Sequence, residues 1–192
     1  MRTIAAIVEG DGEVRAVPLL LRRIAQARGV HDLHVPVPIR VRRDKFLNQD
    51  QEFKNKLILA ALKAGDHGMV LVLLDADDDC PLKLAATVMK RASIILSHRA
   101  VSVVIANKEY EAWFLASIAS LAGKRGLKND LEPPEDAESI RDAKGWLGAR
   151  MLKGRYHVIA DQPAFTALFD MDRAHAASRS MRKMTAAVAA AL

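Results

Sequence analysis

Carboxylate side chains follow two apolar segments of this 192-residue sequence, at the point where each segment ends. Glu9 comes after the first apolar, β-branched run, and Asp75, Asp77 and Asp79 come after the continuously apolar run 69–74. Oxygen ligands of this kind are those that Mg²⁺ or Mn²⁺ prefers. Carboxylates gathered in one crevice also repel one another unless a proton or a cation intervenes. We therefore predict a divalent-metal site formed by these four carboxylates.

Alternating strand and helix patterns position these carboxylates. The strand-like segments are residues 2–8, 31–43, 69–74 and 100–106, and the helix-like segments are 13–28, 50–64, 81–98 and 109–121. This alternation predicts an α/β fold with a mostly parallel four-stranded sheet, flavodoxin-like or Rossmann-like, and helices on both faces. In a strand order of 2-1-3-4 the first and third strands are neighbours, so we expect Glu9 and Asp75 to converge at the carboxyl edge of the sheet. Sheets of this kind bind their ligands at that edge.

Two further features complete the predicted architecture. Pro36 and Pro38 remove ladder donors from the second strand, so we expect it at an edge of the sheet. Residues 123–136 are rich in Gly, Lys, Glu and Pro and predict a loop, and helical patterns follow at 137–152, 162–177 and 181–192. We therefore predict a core of residues 1–122 and a C-terminal helical extension, 123–192, packed on the same domain.

The segment after the fourth strand adds a lysine and two carboxylates to the same edge of the sheet. Lys108, Glu109 and Glu111 follow the apolar run 100–106 directly. Either glutamate could complete a second metal position, although both could equally lie on the exposed first turn of a helix, where negative charge is favourable. Lys108 is a candidate catalytic residue that stabilises charge in a transition state.

The charge distribution suggests a polyanionic partner. Lys and Arg outnumber Asp and Glu by 29 to 23, which gives a formal charge of +6. The cluster of Arg40, Arg42, Arg43 and Lys45 is a candidate nucleic-acid contact, since basic groups neutralise phosphates. No apolar run approaches the length of a membrane span, and a single cysteine fits a reducing compartment, so we expect a cytoplasmic protein.

These motifs resemble the Toprim (topoisomerase-primase) fold, in which a Glu follows the first strand and a DxD follows a later one. The segments VEGDGEVRAVPLLLRRI, LVLLDADDDCP, ANKEYEAWFLAS and DQPAFTALFDMD are similar to a bacterial family catalogued as domain of unknown function 4276, often grouped with Toprim-like nucleases of phage-defence systems. The resemblance implies a metal-dependent nuclease acting on nucleic acid, with Glu9, Asp75 and Asp77 as catalytic metal ligands. It also implies a possible separate ATPase partner.

Two other function classes remain open at this stage. A receiver-like phosphoacceptor domain also places acidic residues after the first strand and an Asp after the third. It further requires a hydroxyl residue after the fourth strand and a lysine after a fifth, and neither is evident here. A noncatalytic nucleic-acid-binding or partner-binding module would use the basic cluster alone.

Overall fold

A four-stranded parallel sheet forms the centre of the chain, whose computed structural model describes residues 2–192. The strands are β1 (Ile4–Val8), β2 (Ile39–Arg40), β3 (Met69–Asp75) and β4 (Ala100–Ala106). Their order across the sheet is β2-β1-β3-β4, and every neighbouring pair runs parallel. The predicted α/β class and the strand order that places β1 beside β3 are therefore confirmed.

Nine α-helices lie around this sheet in the described residues. They are α1 (Asp11–Gln26), α2 (Arg43–Asn48), α3 (Asp50–Ala64), α4 (Pro81–Ile95), α5 (Ala112–Ala116), α6 (Ala143–Arg150), α7 (Val158–Leu168), α8 (Met171–Ala177) and α9 (Arg179–Ala189). Two short 3₁₀ helices cover Ile118–Ser120 and Ala137–Ser139. Within residues 2–192, no helix combines the length and the apolar character that crossing a bilayer requires.

The alternation of side chains along the strands divides the core between two faces of the sheet. Ile4, Ala6 and Val8 of β1 belong to the core that contains α1 and the helices after residue 140. Ala5 and Ile7 belong to the core that contains α2, α3 and α4. Helices therefore cover both faces, as predicted, and β3 is buried along its whole length.

The C-terminal helices pack on the core through α1. The guanidinium group of Arg23 on α1 donates to the carbonyl of Thr166 at 2.6 Å and to the carbonyl of Phe169 at 2.9 Å. The same group lies 5.2 Å from the centre of the Phe169 ring. A charged donor that satisfies two carbonyls at a helix end fixes α7 against α1.

The second strand is shorter than the predicted segment 31–43, although its edge position is confirmed. Only Ile39 and Arg40 form the strand, opposite Ile7 and Val8, and an isolated bridge joins His34 to Thr3. Pro36 and Pro38 lie between these two contacts. A proline has no N–H to donate, so the ladder is interrupted where they stand.

Three predicted helices are shorter or divided, in each case at a capping residue or a backbone turn. The segment 109–121 becomes α5 and a 3₁₀ helix, because Ser117, with φ of -125° and ψ of 21°, leaves the helical conformation between them. The segment 137–152 is divided because Asp142 caps a new helix, accepting from Gly145 N at 2.7 Å. The segment 162–177 is likewise divided at Asp170, which caps α8.

Close packing of α1 against α7 depends on Gly12. A Cβ atom at this position would lie 2.2 Å from Oε1 of Gln162 and 2.8 Å from the carbonyl oxygen of Val158. The Gln162 side chain can turn away, but the carbonyl oxygen of Val158 is a backbone atom and can give way only if α7 moves. The glycine therefore sets the distance between the two helices.

We expect Gly12→Ala to lower the free energy of unfolding by about 1–3 kcal/mol, the usual cost of overpacking a core, despite the better helix propensity of alanine. Gly10→Ala is the matched control, because a Cβ there meets its nearest neighbour, Oε1 of Glu13, at 3.4 Å. Urea denaturation of the two variants measures the difference. Equal stabilities would contradict the close-packing role of Gly12.

Candidate functional site

The loop after β1 is held by a buried glutamate of the next helix. Glu13, in the first turn of α1, is 4% exposed. Its Oε2 accepts the backbone N–H groups of Glu9 at 2.9 Å and of Gly10 at 3.1 Å. These bonds satisfy two donors at the start of the helix and fix the backbone that carries Glu9.

The loops after β3 and β4 continue to pair beyond the sheet. The N–H of Ala76 donates to the carbonyl of Ala106 at 2.9 Å, and that of Asp77 donates to the carbonyl of Lys108 at 3.0 Å. Asp77 and Lys108 both have left-handed backbones, with φ of 49° and 62°. Aspartate tolerates this conformation better than lysine does, so the strain at Lys108 is the more unusual. The pairing places both residues at the carboxyl edge of the sheet.

A polar crevice of about 340 Å³ opens beside these loops. It is lined by Glu9, Arg40, Val41, Arg42, Arg43, Asp44 and Asp77. Within the described residues, Oε2 of Glu9 is buried without a hydrogen-bond partner. Burial raises the pKa of Glu9, the charge of Asp77 raises it further, and Arg43 and Lys144 oppose the shift.

Arginine side chains balance part of the acidic charge in this crevice. Arg43 lies 3.7 Å from the Asp77 carboxylate and 2.5 Å from that of Asp79. Although burial lowers the pKa of Arg43, these two aspartates raise it above its ordinary value. Arg40 donates to the carbonyl of Glu9 at 3.3 Å and lies 3.1 Å from Asp11.

A second group of carboxylates, of which Asp75 and Glu111 are buried, surrounds the side chain of Lys144. Nζ of Lys144 lies 2.7 Å from Oε1 of Glu109, 3.2 Å from Oε2 of Glu111 and 3.8 Å from Oδ2 of Asp75. Oδ1 of Asp75 accepts the backbone N–H of Tyr110 at 2.8 Å. One ammonium group therefore contacts three carboxylates from two segments of the chain.

Glu109 and Glu111 each have further partners. Oε2 of Glu109 accepts the N–H groups of Ala143 at 2.9 Å and of Lys144 at 3.2 Å, and so caps α6. Glu111 is fully buried, and its Oε1 accepts from Tyr156 Oη at 3.1 Å and from Gln162 Nε2 at 3.0 Å. Neither glutamate lies on an exposed helix turn.

Burial dominates the protonation of this group. It raises the pKa of Asp75 well above the usual range, and the neighbouring charge of Glu13 adds to the effect while Lys144 opposes it. Burial also raises the pKa of Glu111, again against Lys144. For Lys144 burial lowers the pKa, but the carboxylates of Glu111 and Asp75 outweigh it and raise the pKa above its ordinary value.

The predicted site residues therefore separate into two neighbouring groups. Glu9 and Asp77 share the crevice with Arg40, Arg42 and Arg43, whereas Asp75, Glu109 and Glu111 contact Lys144. Of the remaining predicted residues, Asp79 pairs with Arg43, and Nζ of Lys108 lies 3.7 Å from the carboxylate of Asp78. Lys45 is exposed on α2 and does not line the crevice.

Among residues 2–192, no three His, Cys, Asp or Glu side chains are arranged so that they could hold a metal ion by themselves. Metal ligation by these residues stays a prediction.

Three side chains of the candidate site carry no signal in the sequence. Lys144 belongs to a helix far along the chain from the acidic motifs, and Tyr156 and Gln162 lie further still. Glu13 stands in the acidic loop segment, and its spacing from Gly10 fits a side chain that reaches back to cap the helix. That spacing alone indicates the role of Glu13 in holding the loop after β1.

The pKa of Glu13 provides a test of this arrangement. Burial raises it from 4.5 to about 7, against the two backbone hydrogen bonds that lower it. A raised carboxyl pKa stabilises the fold fully below pH 4.5, and this stabilisation is lost as the pH rises through about 7. Glutamine at position 13 keeps a hydrogen-bond acceptor but cannot ionise. We therefore expect Glu13→Gln to reduce the fall in the free energy of unfolding between pH 4.5 and pH 7 by up to about 3 kcal/mol.

The measurement is urea unfolding from pH 4 to pH 8 in the presence of a chelator. Glu132→Gln, at an exposed position, is the control and should follow the parent protein. If the free energy of unfolding of Glu13→Gln changes with pH as that of the parent does, the pKa of Glu13 is not raised in the folded protein.

Comparison with known families adds to this geometry. The sequence profile of the family described as domain of unknown function (DUF4276) matches residues 8–189, a range that includes both groups of site residues. No curated protein and no solved structure matches the chain. The chain belongs to the family of domain of unknown function 4276.

Proposed function

We propose that the chain is a Toprim-like, Mg²⁺-dependent or Mn²⁺-dependent phosphodiester hydrolase that cleaves nucleic acid. The observation that carries the proposal is the polar crevice, where the carboxylates of Glu9 and Asp77 and three arginines line one cavity of about 340 Å³. A cation site beside guanidinium groups is the combination that phosphoryl transfer requires, because both the reacting phosphate and its neighbours are anionic.

The donor set at the crevice fits a hard divalent ion. Oε2 of Glu9 is buried and has no hydrogen-bond partner among the described residues, and such an oxygen is costly unless something binds it. Mg²⁺ is commonly held by one or two carboxylates together with waters and substrate phosphates, so a closed cage of protein ligands is not needed. Glu9 and Asp77 would hold the ion, which would polarise a phosphoryl oxygen and acidify a bound water, while Asp75, predicted from the sequence as a third ligand, has Tyr110 N–H and Lys144 as partners.

The basic residues of the crevice supply the substrate contacts in this proposal. Arg42 is exposed, and Arg40 is fixed by Glu9 and Asp11 at the mouth of the loop. Guanidinium groups bind phosphate oxygens in pairs, so these residues would align the nucleic-acid backbone. Arg43, held between Asp77 and Asp79, would stabilise the reacting phosphate, and Lys108 would add a second positive charge.

The resemblance to Toprim nucleases of phage-defence systems supports DNA as the substrate and a cytoplasmic role. It also supports a separate ATPase partner. These 192 residues contain no GxxxxGK[ST] loop, so an ATP-driven step would need such a partner.

The receiver-like alternative gains one feature from the structure. Lys144 lies 3.8 Å from Asp75, as a phosphoacceptor aspartate and its lysine would require. Two observations disfavour it, because the Asp75 side chain is only 12% exposed and Lys144 is closer to Glu109 and Glu111. Hydrolysis at the open crevice is better supported.

Cleavage assays with single-stranded and double-stranded DNA and RNA test the proposal. We expect cleavage with Mg²⁺ or Mn²⁺, none with a chelator, and a loss of at least about 10-fold to 100-fold for Glu9→Gln and Asp77→Asn, since loss of outer-shell partners alone costs that much. Asparagine tolerates the left-handed backbone of residue 77. Glu132→Gln is the control and should retain full activity.

Activity that is indifferent to the chelator and to both substitutions would refute the hydrolase. Salt-sensitive DNA binding that survives Asp75→Asn, without any metal-dependent cleavage, would instead favour the noncatalytic module.

Equilibrium DNA binding tests the role of the arginines separately. We expect Arg42→Ala to weaken binding and to reduce the slope of log K against log salt by about 0.9, the value for one phosphate contact. Lys90→Ala removes the same charge from an exposed position on α4 and should leave the slope unchanged. Equal effects of the two substitutions would mean that overall charge, rather than the crevice, attracts the nucleic acid.

A further inference from the structure

The surroundings of Lys144 resemble the coordination of a cation. Three carboxylate oxygens, from Glu109, Glu111 and Asp75, lie 2.7, 3.2 and 3.8 Å from its Nζ atom. They come from the end of β3 and from the segment before α5, whereas the lysine comes from α6. In two-metal hydrolases a second divalent ion occupies such a carboxylate cluster at the edge of the site.

A cation at this position opposes the negative charge of the cluster. Asp75 and Glu111 are buried, and the nearby Glu13 is buried as well. An isolated ionised carboxylate in a protein interior is strongly unfavourable unless it is paired. The ammonium group of Lys144 donates a hydrogen bond to Oε1 of Glu109 and forms ion pairs with Glu111 and Asp75, so one positive charge opposes three carboxylates.

The backbone of α6 holds this lysine in place. Oε2 of Glu109 accepts the N–H groups of Ala143 and Lys144, while Oε1 of the same carboxylate accepts from Nζ of Lys144. Asp142 caps the helix by accepting from Gly145 N. One glutamate therefore binds both the start of α6 and the side chain that α6 carries.

We propose that the Lys144 ammonium takes the place of a second metal ion, so that the chain binds a single divalent ion at the neighbouring crevice. The presence of the single ion rests on the proposed function. The role of Lys144 does not depend on it. Glu109 and Glu111 are then positioning residues that orient a fixed charge. Lys144 in turn neutralises Asp75, which leaves Glu9 and Asp77 as the carboxylates open to an exchangeable ion.

Counting Mn²⁺ ions bound to the full chain tests this inference. Titrations followed by electron paramagnetic resonance compare the parent protein with Lys144→Met, which keeps an unbranched apolar side chain and removes the ammonium group. We expect Lys144→Met to bind one Mn²⁺ more per chain than the parent, because Asp75, Glu109 and Glu111, which are not spaced to hold an ion in the parent, can then close on an ion in place of the ammonium group. Lys144→Arg keeps the charge and should bind the same number as the parent, and Lys144→Met/Glu111→Gln should lose the additional ion.

The difference in stoichiometry separates this inference from the proposed function. If the parent binds no Mn²⁺ and Lys144→Met binds one, the hydrolase proposal fails while the role of Lys144 stands. If the parent and Lys144→Met bind equal numbers, the lysine does not occupy a cation position and the inference is overturned.

Folding of the variant gives a second measurement. A Lys144→Met chain that is unfolded with a chelator and folds when Mn²⁺ is added supports the inference, because the ion then replaces the missing charge. A chain that remains unfolded in both conditions overturns it.

Discussion

Negative charge buried beyond the carboxyl ends of β1, β3 and β4 is the constraint on which the site depends. Glu13, Asp75 and Glu111 are each less than 9% exposed, and each has a pKa raised by burial. Backbone N–H groups that donate to Glu13 and Asp75 compensate this charge, together with the ammonium group of Lys144. Removing one compensating group would leave a carboxylate buried without its partner, the costly case for ion pairs in proteins.

This constraint explains why the C-terminal helices are part of the site. Lys144 arrives on α6, Tyr156 lies between α6 and α7, and Gln162 lies on α7. All three contact Glu111, which belongs to the segment between β4 and α5. Gly12 lets α7 approach α1 closely enough for Gln162 to reach this carboxylate. Packing of the helices and balance of the charge are therefore coupled.

Much of the fold follows from local patterns in the sequence. The apolar runs of β3 and β4 and the spacing of α3 predict those elements, and their alternation predicts a parallel sheet with β1 beside β3. The position of Glu9 and Asp75 at one edge follows from the same topology. The length of β2 is harder to predict, because it depends on where two prolines interrupt pairing with a neighbour.

The buried half of the site could not be read from the sequence. Glu109 and Glu111 occupy positions that also suit an exposed helix turn, and only the docking of α6 and α7 decides between the two. Lys144 has no motif around it, since its role arises from contacts with residues distant along the chain. Long-range electrostatic pairing of this kind leaves no periodic pattern, so local reasoning cannot detect it.

The central claim is that one exchangeable metal ion lies beside one fixed ammonium group. Anomalous diffraction from crystals soaked in Mn²⁺ tests it directly, because Mn²⁺ is located without assumptions about its ligands. We predict one strong peak in contact with Glu9 and Asp77, with Nζ of Lys144 still between Glu109 and Glu111. A peak among Asp75, Glu109 and Glu111 with Lys144 displaced, or no peak near Glu9, would contradict the account.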